Sequence, residues 1–387
     1  MKKLKFNSIL KAAFEAPLLM IVIAMLFSFF YRLANLPVVT PDSIAFVATL
    51  GLSLLAFSAG AQFRISQLAK VCPVSFRLSF GGGPIFLISS GLAAFILIPQ
   101  ITLASAFLLG GILMLNGSSF DRRSIIDAPT PAMVKAGVRL ESAVILVLGL
   151  PVVVLLEANA SAAQSGQGVL FPLLESSKLL MLSFAIGGFG GLIVAVLGNF
   201  LPSKPDPKMV VVGVLVVLFI TSLVGGQMII AGAAFGLIWG EQSRAHPISR
   251  IKLRARTELY IIPAAYLLFG FTLSPLLLEA ELLMVTFALA TVTIIRAVPR
   301  LVALQHSALA KEGQVFLAWF GGTPGIASAL FLLTLVNNSN LNDQELLLTV
   351  GALCVVSGVF TARLTSRPLS KLYIRSMASA HRRRLFN

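Results

Sequence analysis

The residues able to do chemistry in this chain are few, and they gather beside two interruptions of otherwise apolar sequence. The first interruption reads Asn116-Gly117-Ser118-Ser119, followed by paired arginines, a Pro-Thr-Pro run, and then Glu141-Ser142 at the head of the next apolar stretch. The second reads Gly321-Gly322-Thr323-Pro324-Gly325, with Arg296 ahead of it. A carboxylate such as Glu141 can hold a proton or a cation in a dehydrated cavity, because either occupant neutralises it. Asn116, Ser118, Ser119 and Thr323 offer neutral oxygens to Na⁺ or a polar solute, but they do not titrate. Arg296 reads as a fixed positive charge facing half-helix ends, or as a side chain snorkelling to the membrane rim. Plainer readings stand beside these. The hydroxyls and the amide can satisfy backbone groups freed at the breaks. Glu141 can be a first-turn acid, favoured by the helix N-terminus and reaching the cytoplasmic face.

The elements that must position these residues are membrane helices. With 57% apolar and 12% charged residues, and a mean hydropathy of +0.93, the chain has too few charges to coat a soluble globule, where about 25% is usual. A helix needs roughly 20 apolar residues to span the bilayer core. Twelve such segments are expected, at about 17–31, 43–60, 79–98, 101–119, 140–157, 179–200, 209–225, 227–240, 259–277, 280–297, 314–336 and 344–364. The N-terminal run reads as the first of them, since no small-residue cleavage site follows it. With a cytoplasmic N-terminus, all thirty lysines and arginines except Arg32 and Lys178 fall in the tails and alternate loops on one side. An odd error in the helix count would destroy that bias, so it predicts cytoplasmic termini and a multi-pass protein of the plasma or inner membrane. The net charge of +15 then faces anionic lipid headgroups; it is spread over seven stretches with little aromatic interleaving, which argues against nucleic acid.

The two interruptions fall in the fourth and eleventh segments, seven spans apart. An odd separation means opposite orientation, so an inverted repeat is expected. Interrupted helices at corresponding positions of two halves are the best sequence pointer to a transporter's midplane site. The expected layout is one transmembrane domain over 1–387: a first repeat at 17–157, linking helices at 179–225, a second repeat at 227–364 and a basic cytoplasmic tail at 365–387. The fold class is all-α integral membrane, with the two discontinuous helices crossing.

The motifs carry a resemblance over nearly the whole chain. From Gly110 to Pro151, the residues Gly110, Gly111, Leu113, Glu141-Ser142 and Leu150-Pro151-Val152-Val153 resemble the monovalent cation:proton antiporter family of the sodium/proton exchanger type. Val315-Phe316-Leu317-Ala318-Trp319-Phe320-Gly321, followed by Gly325-Ile326-Ala327-Ser328, is similar to that family's Trp-Phe-Gly-Pro-Arg-Gly-Ile-Ala-Ser helix, and Arg296 stands where the family has an arginine. The chain departs from the pattern at four charged positions. The family's Thr-Asp becomes Asn116-Gly117, and its Asn-Asp, whose aspartate the resemblance makes the ion and proton carrier, becomes Ile145-Leu146. The eleventh-helix arginine is replaced around Thr323-Pro324, and a frequent glutamate appears as Gln62. By the resemblance Glu141 pairs with that missing arginine, so Arg296 or Arg139 is expected to serve.

The resemblance implies a secondary transporter exchanging a monovalent cation (Na⁺, K⁺ or Li⁺) for a proton by alternating access, and a homodimer. Glu141, Asn116, Ser118, Ser119, Ser142, Thr323 and Arg296 are the pathway candidates; Gly117 and Leu146 mark replaced acids. Two other functions stay open: a transport-inactive structural or regulatory membrane protein, and a carrier for another solute, including an anionic one. Soluble-enzyme motifs are absent, with no phosphate loop, no His-Glu-x-x-His and no Gly-x-Ser-x-Gly. No cofactor is expected. His246, His306 and His381 lack metal spacing, and Cys72 and Cys354 are too far apart in the expected topology for a disulfide.

Overall fold

The computed structural model describes residues 17–34, 39–62, 64, 73–116, 132–164, 170–200, 207–243, 247–305, 307, 309 and 311–386. Among these there are helices and no strands, as hydrocarbon surroundings demand, because a helix pairs its backbone groups within itself. In chain order they are α1 (Pro17–Leu33), α2 (Pro41–Gly60), α3 (Pro73–Leu97), α4 (Leu103–Met114), α5 (Ala132–Gln164), α6 (Leu170–Phe200), α7 (Pro207–Leu223), α8 (Met228–Gln242) and α9 (Pro247–Leu278). There follow α10 (Leu282–Leu304), α11 (Lys311–Phe320), α12 (Ile326–Thr334) and α13 (Gln344–Phe386). Seven helices in the described residues are long and apolar enough to cross a membrane, and shorter apolar helices accompany them.

Local sequence sets several helix ends. Thr40 and Thr102 accept from the backbone N–H of Ser43 and Ser105, capping α2 and α4, and Pro41 at the first position of α2 needs no hydrogen bond for its nitrogen. Several helices run further than their apolar stretches suggested, three of them by polar or basic turns. α5 begins at Ala132 rather than near 140, α9 begins at Pro247 rather than near 259, and α13 continues to Phe386 through the expected tail. In each case the extra turns are polar or basic, so hydropathy marks the membrane-embedded part and not the helix itself.

The helices gather into two groups that share a seam. α2, α6, α7 and α8 meet around Phe57, Ala195, Val214, Ala231 and Phe235. α8 can lie this close to α2 because a Cβ on Gly232 or Gly236 would come within 2.5 or 2.3 Å of the carbonyl oxygens of Ser53 and Phe57. α3, α4, α10 and α13 meet around Phe86, Leu109, Phe287 and Cys354. Between the groups lies an aliphatic layer in which Ala48, Leu52, Leu55 and Ala59 of α2 join Leu146, Leu150 and Val153 of α5 and Leu330 of α12. Outside, residues such as Phe200, Leu278 and Leu282 are fully presented to the surroundings, as a lipid-facing belt requires.

Two helices carry a π turn, Leu78–Gly82 in α3 and Thr291–Ile295 in α10. Single π turns recur at functional sites, because they re-aim the side chains that follow. Here the second lies immediately before Arg296, and the first brings Gly82 against Arg300, whose Cα would be 3.8 Å from a Cβ at Gly82.

Candidate functional site

The end of α4, which leads into the first sequence interruption, meets the second interruption, which breaks the helix. α4 ends at Met114; Leu115 is extended, with φ −64° and ψ 97°. The second break separates α11 from α12 at residues 321–325, where Gly322 has φ +68°, a conformation open to glycine at little cost. The end of α4 leaves carbonyls without intrahelical donors. Ser328, in the first turn of α12, supplies one: its hydroxyl lies 2.8 Å from Ile112 O and 2.6 Å from Leu115 O, and donates its single proton to one or the other. The crossing is therefore fixed by a hydroxyl that compensates the broken helix.

Glu141 sits in the third turn of α5, not the first, because the helix starts earlier than its apolar run. It is 1% exposed and does not snorkel to the cytoplasmic face. Among the described residues its partner is Arg300, where Arg296 or Arg139 was expected. Both carboxylate oxygens are engaged: Arg300 Nη1 donates to Oε1 and Nη2 to Oε2 at 2.8 Å, a bidentate fork. Arg300 Nε and Nη2 also donate to Leu317 O at 3.3 and 3.1 Å, tying the pair to the end of α11. The side chain of Arg139 lies outside the described residues.

The glycines of the second break make room for this guanidinium. A Cβ at Gly321 would fall 1.8 Å from Arg300 Nη2, and one at Gly322 would fall 2.6 Å from Nη1. Arg296, one helical turn before Arg300, is 1% exposed and donates through Nη2 to Trp319 O at 2.5 Å. Arg296 thus faces the break, as the fixed-charge reading required.

Beside these groups is a cavity of about 10 Å³, room for about one water-sized guest, bordered by Met114, Asn116, Ile145, Arg296, Arg300 and Gly322. Asn116 is 3% exposed, and neither its Oδ1 nor its Nδ2 has a hydrogen-bond partner among the described residues. A buried amide without partners costs free energy, so this side chain is poised for a polar guest. Ser142 and Thr323 are buried nearby in sequence, on α5 and in the second break. Gly117, Ser118 and Ser119, with Asp121 and Asp127, lie outside the described residues. Leu146, where the resemblance places the exchanging acid, is wholly buried in the aliphatic layer, while Ile145, 4% exposed, borders the cavity.

Sequence reasoning overlooked Arg300 and Ser328 as site residues. The four-residue step from Arg296 to Arg300 puts both on one helix face, a signal that was present. Gln62, standing for a family acid, is also engaged: Arg254 donates to it from Nη1 at 2.8 Å and from Nε to Glu258 at 2.5 Å. Glu258 is a buried ion-pair partner of Arg254 on the same helix, and Arg254 joins α9 to Gln62 just past the end of α2.

A family model described as sodium/hydrogen exchanger, transmembrane, matches residues 6–371. Among curated proteins none matches. Solved structures do. That of the sodium proton antiporter MjNhaP1 from Methanocaldococcus jannaschii at pH 8 is 18% identical, with a TM-score of 0.64 over 94% of this chain and 97% of that one. An electron-microscopy map of the same antiporter gives 14% identity and a TM-score of 0.63, covering 97% and 98%. At such identities the likeness is one of fold.

Proposed function

Since the chain belongs to the sodium/hydrogen exchanger family, we propose that it exchanges its ions at the crossing of α4 and α12, with Glu141 as the exchanging carboxylate and Arg300 as its latch. Membership makes the chain a multi-pass secondary transporter of the cation:proton antiporter class. The observation that carries the site is the bidentate Glu141–Arg300 pair, buried beside a cavity bordered by the unpartnered Asn116.

A proton or a dehydrated monovalent cation competes with Arg300 for Glu141. When either binds, the carboxylate is neutralised, Arg300 is released onto Leu317 O and the edge of the break, and Asn116 Oδ1 becomes a ligand for the cation. With only about 10 Å³ of space, the present conformation is occluded. Loading therefore needs the α3–α4–α10–α13 group to move against the α2–α8 group along their aliphatic seam, which is alternating access. Ser142 and Thr323 complete the candidate pathway with Arg296. The unobserved Ser118 and Ser119 belong to it as sequence neighbours of Asn116.

The same reading includes inverted repeats at 17–157 and 227–364 joined by 179–225, with the 365–387 tail on the cytoplasmic side. The paired π turns of α3 and α10, seven spans apart in the expected layout, support it. A homodimer in the plasma or inner membrane, with both termini cytoplasmic, completes the proposal.

Two features favour other readings. Leu146 is packed dry where the family carries its acid, which favours a transport-inactive membrane protein; and two guanidinium groups border the cavity, which favours an anionic solute. Proteoliposomes decide. Uptake of radiolabelled Na⁺, K⁺ or Li⁺ driven by an imposed pH gradient, and lost in Glu141→Gln, is the expected result. No cation flux at any pH would leave the inactive or anion-carrying alternatives.

A further inference from the structure

Among the carboxyl groups of the membrane helices that the mechanism above leaves unused, Glu157 is joined to a distant segment by an amide donor and has no ion-pair partner among the described residues. Glu157 lies on α5, sixteen residues past Glu141, or about 24 Å along the helix at 1.5 Å per residue. The two acids therefore bracket most of a bilayer core about 30 Å thick. Leu146, Leu150, Val153 and Glu157 follow one another at four-, three- and four-residue steps and share one face of α5. That face carries the replaced family acid at Leu146, and its next carboxyl stands three turns further out.

Glu157 has one hydrogen-bond partner among the described residues, Asn338, whose Nδ2 donates to Oε1 at 2.9 Å. Asn338 follows the single 3₁₀ turn Leu335–Asn337 that closes α12. The charged groups on elements around this end are Asp42 of α2, Glu175 and Lys178 of α6, and Asp343 and Glu345 at the start of α13. None forms an ion pair with Glu157, and the ion pairs among the described residues lie elsewhere. Glu157 is part-buried, and a carboxylate held there without a cationic partner is costly enough to favour the neutral form. A metal cation is poorly served here. Asn338 turns its amino group to Glu157 and its oxygen to Asn340 N, while Gln344 Nε2 already occupies the carbonyls of Leu335 and Val336 at 2.7 and 2.9 Å. A proton needs no such ligands.

We propose that Glu157 is a proton-binding station at the outer end of α5, its carboxyl oriented by Asn338 and cut off from Glu141 by the dry stripe of Leu146, Leu150 and Val153. The carboxylate takes one proton from the outer solution onto Oε2 and returns it there, with no other bond made or broken. This goes beyond the exchange proposed at Glu141 by naming a second carboxyl that binds a proton, at the other end of α5 and apart from the crossing.

The test does not use transport. Purified full-length protein in lipid vesicles is treated with dicyclohexylcarbodiimide, an apolar reagent that modifies protonated carboxyl groups, and its peptides are weighed. Glu157 is expected to be modified, with labelling falling as pH rises, and the infrared band of a protonated carboxyl group is expected to disappear in Glu157→Gln. Wild-type protein that resists labelling at Glu157 at every pH, or whose infrared spectrum is unchanged by E157Q, overturns the proposal. Loss of flux in Glu141→Gln tests the crossing separately.

Discussion

At the scale of residues, the buried Glu141–Arg300 pair makes the sharpest demand. Truncating one partner leaves the other charge uncompensated inside the protein, which costs about 3–5 kcal/mol. Glu141→Ala and Arg300→Ala are each expected to lower stability by that order, measured by denaturant unfolding in detergent. The double variant Glu141→Leu with Arg300→Met is expected to lose much less than the sum of the single losses, because both charges leave together. Stability would then be regained without flux, separating what the pair does for the fold from what it does for exchange. Ser328 poses a smaller version of the same test. Ser328→Ala removes the hydroxyl that, among the described residues, reaches Ile112 O and Leu115 O; Ile112 O keeps the Leu115 N–H, and a stranded Leu115 carbonyl costs about 1–3 kcal/mol.

At the scale of elements, the break between α11 and α12 is shaped by Arg300 as much as by its own glycines. Gly322→Ala meets two obstacles: a left-handed backbone, costing about 1–2 kcal/mol for a residue with a Cβ, and an arginine nitrogen 2.6 Å away. Unfolding measurements should show at least the backbone penalty, and cation flux should fall because Arg300 can no longer lie flat against the break. Arginine reaches the site from α10, after a π turn, where the resemblance led to an arginine within the eleventh helix. Because the guanidinium that forks onto Glu141 comes from α10, the Thr323-Pro324 step in the break leaves Glu141 with its compensating cation.

For the whole molecule, the aliphatic seam between the two helix groups is what the proposed alternating access must slide along, and the asymmetry of basic residues predicts which side faces the cytoplasm. With cytoplasmic termini, trypsin is expected to cut at Arg382, Arg383 and Arg384 in inside-out vesicles and to spare them in right-side-out vesicles. Cleavage in right-side-out vesicles alone would invert the topology, and with it the assignment of Glu157 to the outer side. The seam is dry in this conformation, with Leu52, Leu55, Leu146 and Leu150 fully buried. Movement along it exchanges one aliphatic contact for another, so no hydrogen bond has to break between the groups at that layer.

The sequence by itself determined that this is a helical membrane protein of the exchanger type, because hydropathy, the one-sided basic residues and the Gly-rich interruptions are local or additive signals. It located both breaks for the same reason: glycine, proline and hydroxyl residues mark where a helix must stop. Only the tertiary structure decided which arginine meets Glu141, since Arg139, Arg296 and Arg300 differ by direction rather than by type, and direction depends on a π turn that composition does not reveal. The helix starts of α5 and α9 were also hidden, because a helix continues past the apolar boundary that hydropathy detects. Glu157 went unremarked because its meaning lies in what surrounds it: an amide donor from a segment nearly two hundred residues away and no basic partner. Pairwise contacts between distant segments are set by packing, and packing is what a one-dimensional pattern leaves out.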